Sequence, residues 1–184
     1  MQFLLGFAPF IVFAALTRVS VSLALWLALA AGFALGIRNF LHKRELRLLD
    51  CGSIVLFGGL ALLAGFILPG ISIGAVRLTV NGGLTILAFA SIIFRRPLTL
   101  PYAREQVAAA LWSTPHFLTL NYRISTAWMA AFAVMAAADV LTLLGYLPLS
   151  GDIAIGLVAL VLAIVFTLRA AAASPSHSPA DAAQ

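Results

Sequence analysis

Among residues able to do chemistry, Gly70-Ile71-Ser72-Ile73-Gly74 matches the G-x-S-x-G pattern of a nucleophilic serine. That pattern works where a sharp strand-to-helix turn exposes the hydroxyl and a base stands nearby. Here the pentapeptide joins two long apolar runs. His42, His116 and His177 fall in segments that, as read below, lie on the other side of a membrane, so Ser72 meets no base. Metal chemistry fares no better, because the chain has no His-x-x-x-His pair, no Cys-x-x-Cys and no cluster of carboxylates. A phosphate-cradling G-x-x-x-x-G-K-[ST] loop is also missing, and the single cysteine, Cys51, excludes an intrachain disulfide. The expectation is a protein with no catalytic residues, cofactor or metal, hence not an enzyme.

Asp139 is the polar residue that most needs an account. It lies fifteen residues into the apolar run 124–144, where an ionised side chain is costly and turns inward toward a partner. Arg77 and Asn81 open another apolar run at a similar depth on the same side. The reading is an Arg77–Asp139 ion pair that closes the two helices on each other. A proton or ion relay would need further acidic residues deep in the bundle.

The elements that must position these residues follow from composition. The chain has 184 residues, 63% hydrophobic and 9% charged, against about 25% charged in soluble domains. Too few charges are available to clothe a water-soluble surface. The apolar stretches are long enough to cross a bilayer core of ~30 Å, which takes roughly 20 helical residues. Strand-like alternation is absent, which argues against a barrel. The fold class is therefore all-α, a polytopic transmembrane bundle of about six helices in three antiparallel pairs, over residues 3–16, 19–37, 48–68, 77–94, 124–144 and 153–168. The first apolar run is read as retained, since it has no basic n-region and no convincing cleavage site.

Between the fourth and fifth helices lies a connector, residues 95–123, with a short interfacial helix carrying Ala103, Val107, Ala110 and Leu111 on one stripe. Arg95, Arg96, Tyr102, Arg104, Trp112 and Arg123 make it a candidate surface for docking or lipid contact. Ala24, Ala28, Gly32 and Gly36 recur every four residues as a small-residue packing ridge. The ridge serves either homo-oligomerisation or packing within the chain, and the second is the expectation. Asp50, within a turn of Arg47, is read as its ion-pair partner, and residues 169–184 as a disordered tail.

Net charge is +5, but the basic residues flank apolar runs, which points to anionic lipid and away from nucleic acid. Six crossings put nine basic residues on one side and two, Arg18 and Arg77, on the other, so both termini are expected in the cytoplasm. Ten of the eleven basic residues are arginine, a bias of GC-rich bacterial genomes.

The order of features is similar to that of a known family. Ala8-Pro9-Phe10-Ile11-Val12-Phe13 in a short first helix is followed by a basic loop and then LLDCGSIVLFGGLAL over residues 48–62. The fourth helix ends in Arg95-Arg96-Pro97-Leu98, and Asn121, Arg123 and Trp128 enter the fifth. Over roughly residues 5–168 the chain resembles bacterial inner-membrane proteins of the intracellular septation protein A type. The resemblance implies a non-enzymatic multi-pass protein of the inner membrane, with other envelope or division proteins as partners, and supplies no catalytic residues. A small transporter or channel component is the alternative, and it would require a polar seam along several helices.

Overall fold

The computed structural model describes residues 6–17, 19–43 and 47–172. Among them the fold is helical throughout, with no strand. In chain order the helices are α1 (Ala8–Leu16), α2 (Val21–Lys43), α3 (Leu48–Leu62), α4 (Ile73–Ile93), α5 (Leu100–Arg104), α6 (Pro115–Leu143) and α7 (Leu149–Ala172). A π-helical turn over Leu63–Ile67 continues α3, and a 3₁₀ turn over Ala109–Leu111 follows α5.

Five of these helices are long and apolar enough to cross a membrane: α2, α3 with its π turn, α4, α6 and α7. The sixth crossing expected over residues 3–16 is, in its described part, the nine-residue α1. At 1.5 Å per residue that is ~14 Å, about half a hydrocarbon core. Over its described residues, α1 wedges into the bundle. Phe7 stacks on Trp128 of α6 with ring centroids 5.0 Å apart, while Phe10 and Phe13 approach Phe57 of α3 at 5.0 and 5.6 Å. With Phe132, 5.7 Å from Trp128, these rings form an aromatic layer at mid-bundle.

The expected consecutive neighbours pack, α1 on α2, α3 on α4 and α6 on α7, but the most extensive packing joins α4 to α6 across the connector, and α2 also packs against α3. The small-residue ridge is used within the chain. Ala24 and Ala28 are fully buried, and side chains built at Gly32 and Gly36 would meet Ser53 Oγ at 3.2 Å and Ile54 Cδ1 at 3.4 Å on α3.

Several boundaries differ from expectation, each for a local reason. Helix α6 begins at Pro115, so residues 115–123 belong to it and not to the connector. Thr114 caps it, its Oγ1 accepting from Phe117 N at 3.4 Å, and Pro115 fits the first turn, where its missing N–H costs nothing. Ser72 caps α4 in the same manner, Oγ accepting from Ala75 N at 3.2 Å, which moves that helix start from 77 to 73. Helix α7 starts just after Pro148 and runs to Ala172, so residues 169–172 are helical and not tail. The interfacial helix expected in the connector breaks after Arg104, and Ala108, at ψ 144°, separates it from the 3₁₀ turn that follows. Residues 3–5 of the expected first helix, Arg18, Arg44 and the tail 173–184 lie outside the described residues.

The two ends of the bundle differ in charge. One end gathers Arg38, Arg47, Arg95, Arg96, Arg104, Arg123 and Arg169; Gly6 also reaches it, packed against Tyr102 and Leu49. The other end holds Arg77. Both described ends of the chain therefore lie at the arginine-rich end.

Candidate functional site

At the far end, Arg77 of α4 bridges two other helices. Its Nη2 lies 3.2 Å from Asp139 Oδ1 on α6, and its Nη1 lies 2.9 Å from Asp152 Oδ2 on α7. One turn along α4, Asn81 Nδ2 donates to Asp139 Oδ2 at 2.6 Å. Arg77 and Asn81 share a face because they are four residues apart. Asp139 and Asp152 are 1% and 2% exposed. Asp152 sits in the first turn of α7, where a carboxylate is favoured by the helix dipole. The planar guanidinium, with its fixed fork of donors, serves two acceptors at once. The structure thus brings together the expected Arg77 and Asp139. Asp152, which sequence reasoning left out, is the third member. An acidic residue four positions after Pro148, on the same side as Arg77, was the available signal.

At the arginine-rich end, Asn39 of α2 donates Nδ2–H to Asp50 Oδ2 of α3 at 2.7 Å. Arg47 pairs with Glu105 of the connector, and its guanidinium lies 4.4 Å from the centre of the Tyr102 ring. This corrects the expected Arg47–Asp50 pair. The connector folds back over the start of α3 and offers Arg47 a carboxylate and an aromatic face together. Tyr102 is likewise corrected, being 1% exposed beneath that guanidinium and no part of an outer surface. Burial and the nearby Asp50 carboxylate push its hydroxyl up to about 12, against the opposing pull of Arg47.

A third cluster fixes the connector to α6. Thr99 Oγ1 donates to Asn121 Oδ1 at 3.0 Å and lies 3.1 Å from Ser125 Oγ, which in turn accepts from Thr99 N at 3.3 Å. Arg95, Arg96, Arg104 and Arg123 remain exposed. The Arg104 guanidinium lies 5.4 Å from the ring centre of Trp112, which is 36% exposed.

Behind the clasp, the connector, α6 and α7 line an open hollow of about 490 Å³. Its walls include Val107, Leu111, Phe117 and Ile124, and Thr167 of α7 contributes a hydroxyl that accepts from Trp128 Nε1 at 3.0 Å. A second hollow of about 380 Å³ adjoins it, sharing His116 and Leu120 and adding Arg123 and Arg169. Hydropathy could not reveal either hollow, because the lining comes from separate elements, the connector, α6 and α7 for the first and α6 and α7 for the second. Among the described residues, no group of three or more metal-ligating side chains is assembled.

Comparison with protein-family models, curated proteins and solved structures gives no match for this chain. The fold and site therefore define a class only, a helical membrane protein with buried polar clasps at both ends.

Proposed function

We propose that this chain is a non-enzymatic interaction protein of the bacterial inner membrane, with the arginine-rich end and both termini in the cytoplasm. Its role, on the resemblance to septation protein A-type proteins, is in envelope upkeep or septation. The docking surface is formed by Arg95, Arg96, Arg104 and Trp112 of the connector with Arg123 of α6. One observation carries this reading. The polar side chains within the bundle act as helix clasps near its two ends, whereas exposed cations and Trp112 collect at one end, with Arg104 lying over the Trp112 ring.

A transport route would need polar groups in continuous succession. Along α6, Asp139 lies seven residues beyond Phe132, or ~10 Å, and Trp128 and Phe132 stand between it and Asn121 and Ser125. The aromatic layer argues against such a route.

The test is photo-crosslinking in cells from a photoreactive residue at position 112, alongside deletion of the gene. The expected result is capture of an envelope membrane protein whose own loss gives the same filamentous or misshapen cells. Normal cells with no captured protein, or solute flux in proteoliposomes, would sink the reading.

A further inference from the structure

We propose that the joined hollows at the arginine-rich end bind one anionic phospholipid, its phosphate held by Arg123 and Arg169 and an acyl chain lying in the larger hollow. The inference goes beyond partner docking and stands on the groove alone. The two hollows lie side by side and share His116 and Leu120 in their walls, which places the head of an amphiphile in one within reach of its chain in the other. One half is mainly apolar and, at about 490 Å³, falls in the range of roughly 300–1,000 Å³ usual for ligand pockets. The other half carries two arginines, and among the described residues no carboxylate lines either hollow.

Arg123 and Arg169 are exposed and form no ion pair with a described residue, so their charge is available to a ligand. They project from α6 and α7, the two walls of the smaller hollow. An amphiphile with a negative head and an apolar chain matches that division, and the groove lies at the end of the bundle where arginines mark the headgroup level. A soluble anion would leave the apolar half empty. A neutral lipid would leave the two guanidinium groups without a counter-charge.

The experiment is native mass spectrometry of the full chain in detergent, mixed with phosphatidylglycerol or phosphatidylcholine. One phosphatidylglycerol should be retained at least tenfold more tightly than phosphatidylcholine. Arg123→Gln with Arg169→Gln should weaken retention roughly 30-fold, from about 1 kcal/mol per arginine near an anionic headgroup. Arg38→Gln, a charge removed at the same end on α2, should leave it unchanged. Val107→Trp, which narrows the larger hollow, should also weaken retention of phosphatidylglycerol, and circular dichroism establishes that each variant is folded.

Equal retention of the two lipids would overturn the proposal. So would an equal loss from Arg38→Gln, which would mean general attraction to a basic surface. Competition by glycerol phosphate at the same concentration would show that no acyl chain is held. Finally, a photoreactive residue at position 107 should capture phospholipid in vesicles of that lipid mixture; capture of residues 173–184 or of a second copy would identify a different occupant and refute the lipid site.

Discussion

Arg77 neutralises one of the two carboxylates it touches, and this excess of acid sets the order of mutational effects at the far end. Arg77→Gln leaves Asp139 and Asp152 buried without a cation, a loss of about 3–5 kcal/mol by comparison with other broken buried pairs. Asp139→Asn and Asp152→Asn each leave one carboxylate on Arg77 and should cost about 1–2 kcal/mol, near the value of a single buried hydrogen bond. Thermal unfolding in detergent micelles reads the difference, and equal losses from all three would contradict the bridge. Arg77→Gln combined with Asp139→Asn should lose less than the sum of the two. Tyr102 gives a test by pH. Its hydroxyl ionises near 10 when unfolded and is pushed up to about 12 here. Its contribution to stability is complete below pH 10, then falls with rising pH as the unfolded chain, but not the folded one, gives up the proton. Tyr102→Phe should remove that decline between about pH 10 and 12 and delete the latest phenolate absorbance of the folded protein.

Helix ends show how the elements are terminated. After α6, Gly145 takes φ 79°, and Tyr146 N donates to Leu141 O at 2.9 Å while Gly145 N donates to Thr142 O at 3.1 Å. That is the glycine-terminated closure by which many helices satisfy their last carbonyls. The end of α4 repeats the pattern with Arg95 in the glycine position, at φ 55°, and Arg96 N donates to Ser91 O at 2.9 Å. A side chain in this left-handed region costs about 1–2 kcal/mol relative to glycine. Arg95→Gly should therefore raise stability by about 1 kcal/mol, and Gly145→Ala should lower it by a similar amount, both read from unfolding midpoints. No gain from Arg95→Gly would mean that the arginine side chain stabilises its own strained backbone.

At the scale of the whole molecule, alternation of the long helices places residue 106 and residue 172 at one end and residue 146 at the other. With Cys51 replaced by alanine, Gln106→Cys and Ala172→Cys should be labelled by an impermeant thiol reagent from the same side of sealed vesicles, and Tyr146→Cys from the opposite side. Labelling of positions 106 and 146 from one side would dismantle the bundle as drawn. The short α1 bears on the same architecture. Its phenylalanines join α3 to α6, so Phe10→Ala should cost about 3–5 kcal/mol, the usual loss for a buried aromatic.

Lipid as the solvent, the approximate bounds of five long helices and the depth shared by Arg77 and Asp139 were legible in the sequence, because each depends on hydropathy along the chain. Which face of a helix meets which neighbour was not legible. In a membrane the outer face is as apolar as the inner one, so hydrophobic periodicity carries little rotational information. Tertiary structure alone therefore decided that Asp152 joins Arg77, that Glu105 and not Asp50 takes Arg47, and that the small-residue ridge packs on α3. It also decided that Tyr102 turns inward and that a basic groove opens beside the connector. Each depends on the rotation of one helix about its axis, or on the path of the connector across two others, and local composition constrains neither.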